Sequence, residues 1–173
     1  MKKLFLTLAL AFAGIFAANA QVWVGGGLGA DVNKAYTQVS FAPEVGYMIP
    51  NTPFTVALGA GYTYTNFKGD ASANVLFLQP YFRYVPCTIA DKFSLFLDLT
   101  GDFGLIDAPK DAYAVMLQPG IAWMATDKWT AAFRFGKIGY NHNFYMNGDG
   151  ILTDGFLMGC DLAAPSIRIY YNF

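Results

Sequence analysis

Residues 115–135 read VMLQPGIAWMATDKWTAAFRF, and the alternation inside this stretch decides the fold. Odd positions up to the turn are Val115, Leu117, Pro119, Ile121 and Trp123, while even ones are Met116, Gln118, Gly120, Ala122 and Met124. A period of two, with one apolar face and one small or polar face, describes a strand lying between two different environments. A short turn follows, and Trp129 opens a second strand. The unit is therefore strand, tight turn, strand.

The unit recurs along the chain. APEVGYMIPNTPFTVALGAG starts at Ala42 and QPYFRYVPCTIADKFSLFLDLTG at Gln79, so that Pro43, Pro80 and Pro119 lie 37 and 39 residues apart. An aromatic stands four residues after each proline (Tyr47, Tyr84, Trp123), and another opens the strand beyond the turn (Phe54, Phe93, Trp129). A shorter copy, APSIRIYYNF, starts at Ala164 and carries Pro165. Extending the pattern predicts eight strands, over 22–32, 39–49, 54–65, 75–86, 93–104, 115–125, 129–140 and 156–173. Residues 50–53, 87–92 and 126–128 are short turns; 33–38, 66–74, 105–114 and 141–155 are mostly longer connections rich in Asn, Asp, Gly and Lys. Short turns at one end and longer loops at the other, with an even strand number, are the habit of bacterial outer-membrane barrels.

Composition agrees. Of 173 residues, 55% are hydrophobic and 17% aromatic, but only 13% are charged, against about 25% in an ordinary soluble domain. That excludes a disordered chain and a nucleic-acid-binding one. The grease cannot lie in spanning helices, because after the N-terminal segment no run approaches the roughly 18 to 20 apolar residues such a helix needs. A β-sandwich with an unusually apolar core and a lipid-facing barrel remain. Residues 1–20, MKKLFLTLALAFAGIFAANA, read as a secretory signal cleaved after Ala20. No cysteine follows the cleavage point, which argues against a lipoprotein anchor. Losing Lys2 and Lys3 leaves nine Lys and Arg against twelve Asp and Glu over 21–173, a formal charge of −3 with no basic stripe.

The charges separate barrel from sandwich. With the apolar parity of each strand facing lipid, the opposite parity collects Glu44, Gln79, Arg83, Asp98, Asp102, Gln118, Arg134 and Arg168. All three arginines and the only glutamate fall there, whereas lysine avoids the strands apart from Lys137. A solvent face would be rich in Lys and Glu. Small residues with balanced charges suit the narrow interior of an eight-stranded barrel, where side chains fill the lumen and buried charges must pair. The expected fold is all-β, an eight-stranded antiparallel up-and-down transmembrane β-barrel over 21–173. Its interior is plugged by a network of Glu44, Arg83, Asp98, Asp102, Arg134 and Arg168. Tyr47, Phe54, Tyr84, Phe93, Trp123 and Trp129 form the periplasmic aromatic girdle. A bulge or bend is expected at each of the four prolines, and Gly25, Gly26, Gly27 and Gly29 allow the first strand to close on the last.

The mature chain resembles the small OmpA/OmpX-like outer-membrane barrels of the porin family. The likeness rests on the signal sequence, the repeated LQP-aromatic-turn-aromatic hairpins and the ending IRIYYNF. It implies that Ile169, Tyr171 and Phe173 form the C-terminal signal read by the barrel-assembly machinery, and that the protein sits in the outer membrane of a Gram-negative bacterium among lipid and lipopolysaccharide. The peptidoglycan-binding domain of the larger relatives is not expected, since the chain ends on its last strand. The work expected is structural or interactive: membrane integrity, and loops that present an extracellular ligand site for adhesion or partner binding. A narrow or gated porin-like channel for small or apolar molecules is the alternative, and a lipid A-modifying enzyme a minor one.

Other residues carry less. His142, the only histidine, lies in the longest loop with no serine within a few residues, and is expected to be solvated; no catalytic role follows. The stretch 147–150 with Asp154 lacks oxygen ligands at the first and last positions of a calcium loop, and no spacing suggests zinc. Neither a metal nor a cofactor is expected. Cys87 in a short turn and Cys160 toward the other end would be separated by much of a lipid band of about 25 Å. A disulfide tolerates about 7 Å between Cα atoms, so both are expected as free thiols.

Overall fold

The computed structural model describes residues 21–32, 36–67, 72–106, 111–146, 152–160 and 166–173. The expected signal segment, Pro165 and the stretch 147–150 lie outside them. The described chain is all β: β1 Val22–Val32, β2 Tyr36–Met48, β3 Phe54–Phe67, β4 Ser72–Ile89, β5 Phe93–Ile106, β6 Tyr113–Met124, β7 Trp129–Arg134, β8 Gly136–Met146, β9 Leu152–Cys160 and β10 Ser166–Asn172. Strands β1 to β6 pair antiparallel in sequence order. The seventh wall is β7 followed by β8, both paired with β6. The eighth is β9, paired with β8, followed by β10, paired with β7. Because β10 also pairs with β1, from Trp23 against Asn172 to Gly27 against Arg168, the sheet closes into an eight-walled barrel. A two-sheet sandwich would leave this seam open.

Burial shows which face each parity takes. Along β5, Leu97 is 37% exposed, Asp98 0% and Leu99 47%. Leucines face out and carboxylates face in, the reverse of a water-soluble sheet. Phe41, Leu58, Tyr62, Phe82, Phe103, Val115 and Ile121 continue the exposed apolar exterior.

The strands run past the expected bounds toward the long-loop end. Residues 141–155 were expected as one loop; instead β8 continues to Met146 and β9 begins at Leu152, with His142 paired across to Asp154. The stretch is polar and rich in Asn, Gly and Asp, and composition alone does not tell such a hairpin from a loop. The prolines behave unequally. At Pro43 the β2–β3 pairing skips two residues without changing register, and at Pro80 the β4–β5 pairing does likewise. Each missing N–H therefore costs a local gap, not the bulge expected. Opposite Pro119 the partner wall does break. Gly120 pairs with Arg134 and Leu117 with Ile138, so one extra residue, Phe135, separates β7 from β8. A further register shift between Tyr84 and Cys87 brackets Pro86, a site the repeat did not single out.

At the short-turn end, Thr52 accepts from the Phe54 amide at 3.3 Å, and Thr126 accepts from Lys128 and Trp129 at 3.3 and 3.0 Å. The β4–β5 turn is tighter, since β4 continues through Cys87 to Ile89. Ala90 and Asp91 both take positive φ, 51° and 55°, the geometry of a type I′ turn that favours Asn and Gly. Ala90→Gly removes the Cβ strain and is expected to raise stability by about 0.5–1 kcal/mol, seen as a higher urea midpoint with unchanged slope.

Candidate functional site

The barrel interior holds the charges. Asp98 is the hub: its Oδ1 accepts from Arg83 Nε at 2.7 Å, and its Oδ2 from Arg83 Nη2 at 2.9 Å. Arg134 reaches the same carboxylate, Nε to Oδ2 at 2.8 Å and Nη2 to Oδ2 at 2.6 Å. A second group forms around Glu44, which pairs with Arg168 and accepts from the Tyr81 hydroxyl at 2.6 Å. Gln79 joins the rest, donating to Asp102 at 2.5 Å and accepting from Arg168 at 3.1 Å. All six charged residues named from the sequence thus meet inside the lumen. They do not pair one to one: Asp98 takes two arginines.

Register explains why. Arg83 stands directly opposite Asp98 across β4 and β5, so that pair follows from strand alignment alone. Arg134 opposes Gly120 on β6, and Gly120 leaves the room that the Phe96 ring occupies; a Cβ there would lie 2.2 Å from Phe96 Cζ. Glu44 and Arg168 meet across the glycines of β1, since Glu44 opposes Gly25 and Arg168 opposes Gly27.

Aromatic rings fill the lumen toward the short-turn end. Trp23, Tyr81, Phe96 and Tyr170 are buried with Ala122 and Ala132. The Trp23 and Tyr170 ring centroids lie 4.4 Å apart, and Gly46 leaves the gap that the Trp23 indole occupies. The guanidinium of Arg83 lies 4.0 Å from the Phe96 centroid and that of Arg134 4.8 Å from the Tyr81 centroid, distances at which a ring face attracts a cation. Tyr81 therefore links the two groups, bonded to Glu44 and stacked under Arg134. None of these four aromatics is among the site residues expected from the sequence. Parity could have found three: Tyr81 lies two residues before Arg83, Phe96 two before Asp98, and Tyr170 two after Arg168.

The residues expected as a girdle stand outside, beside the short turns. Tyr47, Tyr84, Phe93, Trp123 and Trp129 are exposed and Phe54 is half-buried. Phe54 meets Tyr84 at 5.4 Å between centroids, and the belt continues through Trp129 to Tyr171 at 5.1 Å and Tyr171 to Phe173 at 5.2 Å. Ile169, exposed on the same strand face, completes the C-terminal alternation.

At the opposite end, His142 Nδ1 lies 2.9 Å from Asp154 Oδ1, so the proton shared with the carboxylate sits on that nitrogen. This corrects the expectation of a merely solvated histidine, and the hydrogen bond holds the Asp154 carboxyl below its usual range. The other ring nitrogen faces Asn143 Nδ2 at 3.4 Å, and the Tyr140 hydroxyl donates to the same Asp154 oxygen at 3.1 Å. Among the described residues no three His, Cys, Asp or Glu gather as a metal site. Cys87 and Cys160 are both free and exposed. Compared with known proteins, the chain matches no family model and no curated protein sequence.

Proposed function

We propose that the protein is an integral outer-membrane β-barrel, exported by a signal over residues 1–20, whose interior is closed by its ion network. Its work is carried by the wall and the loops: supporting the membrane and presenting an extracellular surface for adhesion or partner binding. The observation that carries this reading is the inverted burial, with leucines and aromatics outward and Asp98, Glu44, Arg83 and Arg134 buried. In water such an exterior would expose apolar area far beyond the few hundred Å² that soluble monomers tolerate. In lipid it is the favourable face, and closure leaves the through-going strands paired on both sides. The aromatic belt beside the short turns supports an interface with lipid headgroups on that side. Resemblance to OmpA/OmpX-like barrels supports the same compartment, with lipid, lipopolysaccharide and the barrel-assembly machinery as partners, the last reading Ile169, Tyr171 and Phe173.

Fractionation tests the reading. The protein is expected in the outer membrane, and its gel mobility shifts when the sample is boiled; recovery as a soluble periplasmic monomer overturns the proposal. In planar bilayers the refolded barrel is expected to give no steady conductance steps. Regular steps would overturn the closed interior and favour a channel.

A further inference from the structure

Four tyrosines on the barrel exterior have a hydrogen-bonded hydroxyl, and they use it in two ways. Tyr47 donates to Gln21 at 3.1 Å, Tyr62 to Asn74 at 2.6 Å and Tyr140 to Asp154 at 3.1 Å, so each of these protons is taken up within the protein. Tyr171 instead accepts, from Lys128 Nζ at 3.2 Å. A phenol that accepts from an ammonium keeps its own proton to donate, and among the described residues nothing takes it. Lys128 likewise has two N–H groups left over. It forms no ion pair among the described residues, not even with Asp127 beside it in the turn.

The backbone holds these donors in place. Trp129 opposes Tyr171 across β7 and β10, with the rings edge to face. The Asn172 amide donates to the Lys128 carbonyl at 2.8 Å, pinning the turn to β10. The Lys128 ammonium is 5.7 Å from the Tyr171 centroid but 3.2 Å from its hydroxyl, so it stands off the hydroxyl end of the phenol and not over its face. A cluster with free donors and no acceptor selects an anion, and this one lies beside the aromatic belt, at the level where headgroups meet such a belt. Diffuse attraction is weak here: the short turns 50–53, 87–92 and 126–128 carry Asp91, Lys92, Asp127 and Lys128, two charges of each sign. Lys92, in the neighbouring turn, has no side-chain hydrogen bond, ion pair or ring contact among the described residues, which makes it the control.

We propose that Lys128 Nζ and the Tyr171 hydroxyl together hold the phosphodiester of an anionic phospholipid in the leaflet at the short-turn end, with the exposed Trp129 ring beside it. A zwitterionic lipid fits less well, because it brings a second cation to Lys128. That the phosphate belongs to a lipid rests on the membrane reading above; the donor cluster does not. The test uses the refolded chain 21–173 carrying Trp123→Phe, which leaves Trp129 as the exterior indole, Trp23 being buried. It is placed in phosphatidylcholine vesicles in which a minor fraction of the lipid has brominated chains, as phosphatidylglycerol or as phosphatidylcholine. Bromine quenches an indole on contact, so quenching reports which lipid lies beside Trp129. Phosphatidylglycerol is expected there about fivefold above its share, the scale of one surface lysine on an anionic lipid. Lys128→Gln abolishes the preference, and Tyr171→Phe, which keeps charge and ring but loses the hydroxyl, lowers it about twofold. Lys92→Gln and glycerol phosphate in solution leave it unchanged. Equal quenching by both lipids overturns the proposal, as does a preference that survives Lys128→Gln, ignores Tyr171→Phe or is lost equally in Lys92→Gln. Displacement by glycerol phosphate overturns it too, since the ligand is then a soluble phosphate. Quenching by neither lipid removes the membrane reading, and this site with it. A heat-shifted gel band certifies a folded barrel for each variant.

Discussion

Asp98→Ala lowers the stability of the folded barrel by about 3–5 kcal/mol, the scale for breaking a buried ion pair from one side. The cost comes from what remains. Arg83 and Arg134 both lose their carboxylate, and both stay inside a lumen where a lone charge is expensive. Arg83 keeps the Tyr170 hydroxyl, at 3.3 Å, and its contacts with the Phe96, Tyr81 and Tyr170 rings, none of which carries a full negative charge. Urea titration of the refolded protein measures the loss as a lower midpoint. The triple variant Asp98→Leu, Arg83→Met, Arg134→Met is expected to lie closer to the parent than the single one, because it leaves no unpaired charge behind. If Asp98→Ala were neutral, the lumen would have to be wet enough to solvate both guanidinium groups, and the closed interior would be wrong.

Leu99→Arg gives the second large effect and separates lipid from water as the surroundings of the wall. Leu99 is 47% exposed and opposes Leu117 in the middle of β5 and β6. Its side chain has room for arginine, so in water the change is expected to fall within about 0.5 kcal/mol of neutral. In a bilayer the same arginine near the midplane costs about 2–4 kcal/mol. Unfolding titrations of the barrel refolded into lipid vesicles are expected to show that larger loss. A neutral result in vesicles would mean that this face does not meet hydrocarbon.

Alternation made the barrel legible because strands of two-faced character carry their orientation in every second residue. Leu97, Asp98 and Leu99 are enough to say which way β5 faces. The six lumenal charges were legible for the same reason. Their partners were not, since pairing depends on register and on vacancies such as Gly120 and Gly46, which a parity count treats as blank. The inward aromatics Trp23, Tyr81, Phe96 and Tyr170 escape a reading that singles out only the charged and amide side chains of the inward parity; each faces a glycine or alanine on the paired strand, Gly46, Ala57, Gly120 and Gly25 in turn. The ends of β8 and β9 are not legible because the ladder that joins them, His142 against Asp154 for one, runs through a polar stretch that composition does not tell from a loop. At the prolines, a lost donor turned out to be absorbed by the surrounding ladder at Pro43 and Pro80 and to break the wall only opposite Pro119, a difference of local pairing that the residue type does not encode.

The seam between β1 and β10 has a consequence for how the chain acquires its shape. The ladders along β1 to β6 each join strands adjacent in sequence, and each can form as a hairpin on its own. The contact of Trp23 with Asn172 brings together nearly the whole of residues 21–173, and it carries the largest loop-closure entropy of the described ladders. It therefore forms last. Trp23 and Tyr170, whose rings meet across that seam, arrive with the two closing strands, so the final stitch of the sheet and the stoppering of its interior are a single kinetic event. An intermediate that has not closed is a curved open sheet with its ion cluster accessible to water. The transition from that sheet to the finished barrel is where the arginines lose their solvent.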